Sequence, residues 1–155
     1  YQWWNRTMII RKGNKWDFPF ICDMLRHYRE NTPWDKISTC DNEEHIRKLL
    51  SFMLVNGIIL VAEKDDEMIG MLLAIKNTNI WDPNIYVINE LAYWVESEHR
   101  GSSAGYRLIK EYCNICNEMI ENKQIESYTI SKMVNSPDLK YDKFGFKKED
   151  ERWRI

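Results

Sequence analysis

Apolar residues in the first third of the chain recur at helical spacing and predict two helices behind a short strand, Thr7 to Arg11. We expect Asp17 to cap the first helix, whose apolar pattern stops at residues 31–33. In the second helix, Asp41 is followed three residues later by Glu44, a pairing that can satisfy the first free N–H groups as a capping box. The two apolar stripes are Ile21, Met24, Leu25 and Tyr28, and Ile46, Leu49, Leu50 and Met53.

The middle of the chain carries short apolar runs that predict strands. Ile58 to Ala62 and Met68 to Ile75 flank the charged residues 64–67, which indicates two antiparallel strands joined by a hairpin. A longer strand is predicted over Ile85 to Val95, after a loop at residues 81–84. These runs supply at least three neighbouring strands of a sheet.

The last third of the chain predicts one long helix and several short elements. The residues after Gly105 place apolar and charged side chains on opposite sides of a helix. Ile125 to Ser131 predicts a strand, Ser136-Pro137 the start of a short helix, and Gly145 to Ile155 a terminal strand or hairpin. The complete order predicts an α/β protein with a partly antiparallel sheet covered by helices.

Composition narrows the class of ligand. The 155 residues are 44% hydrophobic and 30% charged, and we expect a single domain over residues 1–155. The formal net charge of −2 argues against a general nucleic-acid or membrane-surface binder. No apolar run is long enough to cross a membrane. A small-molecule ligand is therefore the first expectation.

The cysteines predict neither a disulfide framework nor a metal site. Four cysteines in a chain of this length are sparse for a disulfide scaffold, so we expect reduced thiols in a cytoplasmic protein. Cys113 and Cys116 form a CxxC, but the pair lies within a helical pattern and lacks a second pair to complete a tetrahedral site. We expect buried helix cysteines and no metal.

The segment from Arg100 to Gly105, RGSSAG, predicts an anion site. It joins the long strand to the long helix through small residues, which let the backbone close tightly around a ligand. The first N–H groups of a helix lack acceptors within the helix, and its dipole is positive at this end. The expected ligand is a phosphate or a pyrophosphate.

Two segments resemble the GNAT N-acetyltransferase family. Residues 100–105 follow its pyrophosphate pattern Q/R-x-x-G-x-G/A, except that Ser103 stands where the middle glycine is usual. Residues 139–148, LKYDKFGFKK, look like its Tyr-Glu-Lys-Leu-Gly-Phe signature near the C-terminus. The resemblance implies a single-domain GNAT-like α/β fold, with a mixed, mostly antiparallel sheet and helices on both faces. It also implies acetyl-CoA as cosubstrate.

The resemblance implies roles for residues of both segments and of the long strand. Tyr141 would protonate the departing thiolate, and Glu90, placed by simple alternation on the face opposite Tyr93 and Val95, would accept the amine proton through water. Backbone N–H groups near Trp94 and Val95 would bind the thioester oxygen. The expected coenzyme-binding residues are completed by Arg100, Gly101, Ser102, Ser103, Ala104, Gly105 and Asn135.

The resemblance also implies where an acceptor amine would bind. The acceptor groove of the family lies beside the segment between the first two helices and the loops around strands four and six, which here include Trp34 and Trp81. The sequence does not identify the amine, and a homodimer is a further expectation because dimers are common among similar proteins.

Each assignment has a structural alternative. Tyr141 can be a packed core tyrosine, Glu90 an ion-pair partner, and the turn at residues 100–105 a tight connection only. The expected activity is acetyl transfer to a primary amine by direct attack in a ternary complex. The alternatives are a non-catalytic CoA-binding or protein-interaction module of the same fold, and an acyltransferase acting on a nucleic-acid base amine.

Overall fold

The fold is built on one five-stranded sheet, and the computed structural model describes it over residues 8–33, 41–137 and 139–155. The strands lie side by side in chain order, with antiparallel pairing from the first to the fourth and parallel pairing between the last two. The strands are β1 Ile9–Lys12, β2 Gly57–Lys64, β3 Glu67–Thr78, β4 Tyr86–Val95 and β5 Ser127–Thr129. The helices are α1 Phe18–Glu30, α2 Glu43–Asn56 and α3 Ala104–Glu121.

Helices cover both faces of the sheet, as predicted. The first face packs against α3 through Leu108, Tyr112 and Cys116, which share a buried cluster with Leu60 and Leu72 of the sheet. The opposite face packs against α1 and α2, and its buried cluster is Phe18, Ile21, Cys22, Met24, Leu50, Met53, Ile59, Val61, Met71, Leu73, Ala92 and Trp94. Burial of these apolar surfaces is the main force that holds the helices on the sheet.

Two helix caps differ from the prediction. Asp17 precedes α1 but makes no side-chain cap, because its carboxylate instead accepts hydrogen bonds from the Arg11 guanidinium and the Asn14 N–H. The α2 cap is Asn42, whose side chain accepts from the N–H of His45 at 3.0 Å. The predicted cap, Asp41, pairs with Arg26.

The charged hairpin is tighter than its four charged residues suggest. β2 extends to Lys64 and β3 begins at Glu67, so only Asp65 and Asp66 form the turn. Both have left-handed backbones, with φ of 54° and 63°. Such a two-residue turn matches the twist of the flanking strands.

A β-bulge in β4 changes which residues face which helix. Leu73 pairs with Ala92 and Ala74 pairs with Glu90, so Leu91 has no partner in β3. The extra residue reverses the alternation of the strand. Before the bulge, Ile88 faces α3; after it, Trp94 faces α1.

The bulge corrects the expectation for Glu90. The Cα partner of Glu90 is Ala74, a member of the α3-side cluster, and Tyr93 and Val95 pack against the same cluster. Glu90 therefore lies on the same face as Tyr93 and Val95, because simple alternation fails across the bulge.

The C-terminal third is less regular than predicted. β5 has three residues rather than seven. No helix begins at Ser136-Pro137; the nearest helical turn is a 3-10 turn over Tyr141–Phe144. Residues 145–155 form no strand. Within the described ranges, no helix has the length and hydropathy of a membrane span.

Candidate active site

The sheet opens between β4 and β5, and this gap defines the candidate site. The two strands pair only over residues 87–89 and 127–129, so the second half of β4 has no strand on that side among the described residues. The N–H of Glu96 donates to the Ile69 carbonyl of β3. This bond shows which N–H groups at the end of β4 point toward β3 and which point away from it. By alternation, the N–H of Val95 points to the gap and that of Trp94 points to β3. Of the two predicted donors, Val95 is thus the one that faces the gap.

Glu90 is the buried carboxylic acid at this gap. Its side chain is 7% exposed, and burial raises its pKa from 4.5 to about 7. The backbone N–H of Ser131 donates to Oε2 at 3.1 Å, and the backbone and side chain of Ser131 lower the pKa against this effect of burial. A carboxyl with this pKa can both accept and release a proton near neutral pH.

Tyr141 contacts Ser131, the residue that also bonds to Glu90. Its hydroxyl donates to the Ser131 carbonyl at 3.3 Å, and its ring packs at an angle on Phe146. Burial, with a smaller effect from the charge of Glu90, raises the pKa of Tyr141 above its ordinary value of 10.0. The phenol therefore keeps its proton throughout the physiological range.

In the loop between β4 and α3, Ser102 is hydrogen-bonded within the loop, whereas some other backbone groups are not. Ser102 Oγ donates to the His99 carbonyl at 2.6 Å and accepts from the Ala104 N–H at 3.3 Å. Ser103 precedes α3 without capping it through its side chain. The Ala104 N–H is therefore occupied, whereas the N–H groups of Gly105 and Tyr106 donate to no described residue outside the helix and remain available to an anion.

The two glycines of the loop are small for different reasons. A Cβ added at Gly101 would meet no atom within 4 Å, so the fold itself does not require a glycine there. A Cβ at Gly105 would lie 2.5 Å from the Tyr93 hydroxyl oxygen, so close packing of α3 on β4 requires this glycine. Open space at Gly101 is what a bound ligand would use.

Arg100 folds back onto the strand. Its Nε donates to the Val95 carbonyl at 3.1 Å, and its guanidinium lies 4.4 Å from the centre of the Trp94 ring. Trp94 also makes an edge-to-face contact with Tyr28 of α1. Arg100 thus braces the end of β4.

Two of the remaining predicted site residues, Asn135 and Trp81, are placed by the structure. The Asn135 amide donates to the Asn31 carbonyl at 2.7 Å, which joins the segment after β5 to the end of α1. Trp81 is 87% exposed in the loop before β4, at the strand end opposite the anion loop. Trp34 lies outside the described residues.

Several residues at the gap were not predicted. Ser131 contacts both Glu90 and Tyr141. Tyr28 lies near Glu90: burial raises the pKa of Tyr28 to about 12, and the charge of Glu90 makes a smaller contribution. Leu91, the extra residue of the bulge, is 44% exposed in the middle of a central strand. An exposed leucine next to a buried glutamate inverts the ordinary burial pattern, but this inversion is a property of the fold and gives no signal in the sequence.

The CxxC cysteines are core residues, as expected. Cys113 and Cys116 are buried on α3, and burial raises the pKa of Cys116 to about 12. No cluster of metal-ligating side chains occurs in the part of the chain that the structure describes.

Comparison with known proteins gives the family. The family model described as Acetyltransferase (GNAT) family matches residues 21–146, which include the gap, the loop and Tyr141. This chain belongs to the GNAT acetyltransferase family. The family uses acetyl-CoA as its acyl donor. None of the curated proteins compared with this GNAT chain matches it.

Solved structures show the same fold at low sequence identity. A predicted acetyltransferase from Clostridium acetobutylicum, solved with acetyl-CoA, has a TM-score of 0.73 and 15% identity, over 96% of each chain. An aminoglycoside acetyltransferase from an uncultured soil metagenomic sample has a TM-score of 0.69 and 16% identity, over 96% of this chain and 95% of its own. A ribosomal-protein-alanine N-acetyltransferase from Brucella melitensis has a TM-score of 0.66 and 14% identity, over 96% of this chain and 98% of its own.

Proposed function

We propose that this GNAT protein transfers an acetyl group from acetyl-CoA to a primary amine by direct attack within a ternary complex. The observation that carries the proposal is that three chemical groups lie at one edge of β4. A buried carboxyl with a pKa of about 7, a backbone N–H that faces the gap and a protonated phenol all adjoin this edge. These are the base, the carbonyl donor and the acid that amide formation from a thioester needs.

The loop residues fit the phosphates of acetyl-CoA. The first turn of α3 offers N–H donors and the positive end of a helix dipole, and the open space at Gly101 admits a phosphate close to the backbone. Ser103 keeps its own N–H, so a serine in place of the usual glycine is compatible with this fit. Arg100 supports the loop through its contacts with the Val95 carbonyl and the Trp94 ring.

The protein groups move two protons. Glu90 accepts the proton of the substrate ammonium group through water, which leaves a neutral amine with a free electron pair. The Val95 N–H donates to the thioester oxygen while negative charge develops there. Tyr141 gives its proton to the thiolate sulfur and regains one from solvent.

Acetyl-CoA supplies the acetyl group as an activated thioester. The new bond joins the amine nitrogen to the acetyl carbon, and the bond from that carbon to sulfur breaks. The nitrogen releases its second proton to solvent, which balances the proton that Tyr141 regains, so the products are an N-acetyl amine and free CoA. The buried cysteines Cys113 and Cys116 take no part, because their thiols lie in the α3 core.

The acceptor is a cation that approaches the gap. A buried carboxyl at the floor of the gap favours a protonated amine over a neutral or anionic group. The amines modified by structural neighbours supply the first compounds to test, an aminoglycoside and an N-terminal alanine peptide. Trp34 and Trp81 stay candidates for contacts with the more distant part of the acceptor.

The test is a calorimetric titration with acetyl-CoA, followed by thiol release with a panel of amines. Gly101→Val should weaken acetyl-CoA binding by at least about tenfold, because its side chain fills the space next to the phosphate donors. Its melting temperature without ligand should stay that of the unmodified protein, since no protein atom lies near the new Cβ.

Gly105→Ala is the contrasting variant, because its Cβ collides with Tyr93 and should lower stability as well as binding. Absence of acetyl-CoA binding by the unmodified protein would refute the proposal. Binding without thiol release for any amine would favour the non-catalytic alternative.

A further inference from the structure

Ser131 occupies the point where β5 parts from β4. It lies two residues beyond Thr129, the last residue of β5, and its surface is exposed to the gap. Its N–H donates to Glu90 Oε2 at 3.1 Å, and its carbonyl accepts from the Tyr141 hydroxyl at 3.3 Å. The backbone N–H and the carbonyl of one residue thus contact the two proposed proton-transfer groups, Glu90 and Tyr141.

The side chain of Ser131 also acts on Glu90. Together with the backbone N–H it lowers the pKa of Glu90 against the larger effect of burial. The other titratable groups influenced by the charge of Glu90 are neutral phenols from three elements and the C-terminal segment: Tyr28, Tyr93, Tyr112 and Tyr141. Among the described residues, the hydrogen bond to this carboxylate comes from the Ser131 N–H.

We propose that Ser131 is a positioning residue that holds Glu90 through its N–H and hydroxyl while it holds Tyr141 through its carbonyl. The distance between base and acid is then set by one backbone unit rather than by two independent side chains. The roles of Glu90 and Tyr141 rest on the proposed function, whereas the hydrogen bonds to Ser131 do not.

The first test measures the ionisation of Glu90 without any substrate. The protein is labelled at its carboxyl carbons and titrated by NMR, and the Glu90 signal is assigned by its absence in Glu90→Gln. Ser131→Ala keeps the N–H and the carbonyl but removes the hydroxyl, so the pKa of Glu90 should rise by about 0.5–1 unit. Ser131→Thr keeps a hydroxyl and should restore the original titration.

Ser127→Ala is the matched control, because Ser127 is an exposed serine of β5, four residues before Ser131. It should leave the Glu90 titration unchanged. An unchanged titration in Ser131→Ala would overturn the proposal, and so would an equal shift in Ser127→Ala. Both results are readable even if the protein acetylates no amine, so failure of the proposed function is a separate outcome.

The second test applies once an acceptor is found. The acidic limb of the pH profile of kcat/KM should move upward in Ser131→Ala by the shift that NMR records, with a loss of rate of several-fold at pH 6 and less than about twofold at pH 9. A shift by NMR with an unmoved kinetic limb would support the positioning of Glu90 by Ser131 and would refute Glu90 as the base.

Discussion

Glu90 shows how burial of one side chain creates both reactivity and a cost in stability. The unfolded chain ionises this carboxyl near pH 4.5, whereas the folded protein ionises it near pH 7. The folded state therefore binds the proton more tightly than the unfolded state, and stability is lost as the pH rises between these values. The loss approaches an order of 3 kcal/mol above pH 7.

Glu90→Gln should separate the two consequences. At pH 8, kcat/KM should fall by about 10²–10³-fold, because no base accepts the ammonium proton. At the same pH the variant should be more stable than the unmodified protein, while the difference should shrink toward pH 4.5. Urea unfolding at pH 5 and pH 8 measures this, with the exposed Glu121→Gln as control. An equal stability difference at both values of pH would contradict the burial argument.

Tyr141→Phe should lower kcat with little change in affinity for acetyl-CoA. The ring contact with Phe146 is kept, and only the hydroxyl that protonates the thiolate is lost. We expect a fall of about 10²-fold in kcat, measured by thiol release, and less than about twofold in Kd by calorimetry. Tyr86→Phe, at a tyrosine beneath Lys76 and far along β4, should change neither. Unchanged turnover in Tyr141→Phe would remove the acid role.

At the scale of elements, β5 depends on a helix for its position. It pairs with β4 over three residues, and Tyr112 of α3 donates its buried hydroxyl to the Thr129 carbonyl at 2.7 Å. A short edge strand gains much of its order from such anchors, because few ladder bonds hold it. The anchor fixes the end of the strand from which Ser131 follows.

Tyr112→Phe should therefore destabilise the protein and loosen the site together. The half-buried Thr129 loses the donor to its carbonyl, and we expect a loss of about 1 kcal/mol. Hydrogen exchange at Thr129 and Ser131 should accelerate more than exchange in β2. The exposed Tyr106→Phe on the same helix is the control, and equal exchange in β5 and β2 would contradict the anchoring role.

The elements that the sequence predicted well have strong local signals. The hairpin has a charged turn between two apolar runs, and α3 has a continuous apolar side from Leu108 to Met119. The β4 bulge has no such signal, because both faces of a central strand are apolar and the alternation looks continuous. Asn42 displaced Asp41 as the α2 cap because Arg26 draws Asp41 away, a contact that only the fold creates.

At the scale of the whole molecule, the candidate site was predictable in part. Tyr141 and the glycine loop were named because each belongs to a short pattern, and Glu90 because the family resemblance places a base in the long strand. Ser131 and Tyr28 come from elements far apart in the chain, so their approach to Glu90 depends on how α1 and β5 pack around the gap.

Binding of acetyl-CoA at the loop should stabilise the entire fold. At a concentration 100 times Kd, a ligand that binds only the native state adds about 2.7 kcal/mol. For a chain of this size the melting temperature should rise by about 5–10 °C. Thermal melts with and without acetyl-CoA measure the shift, and Gly101→Val at the same concentration should lose at least about half of it. A shift that is equal in both proteins would place the ligand elsewhere.

The bulge at Leu91 also determines how β4 can be altered. Substitutions at even-numbered positions before the bulge affect the core beneath α3, whereas even-numbered positions after it affect the core beneath α1. Deleting this single residue would place Glu90 and Ala92 next to each other, opposite Ala74 and Leu73, so Trp94 and Val95 would keep their present faces. Replacing it would keep the bulge, whereas inserting a further residue after it would exchange the faces of Trp94 and Val95. The two halves of β4 are thus separate units for mutation, and a change that one half tolerates is no guide to the other.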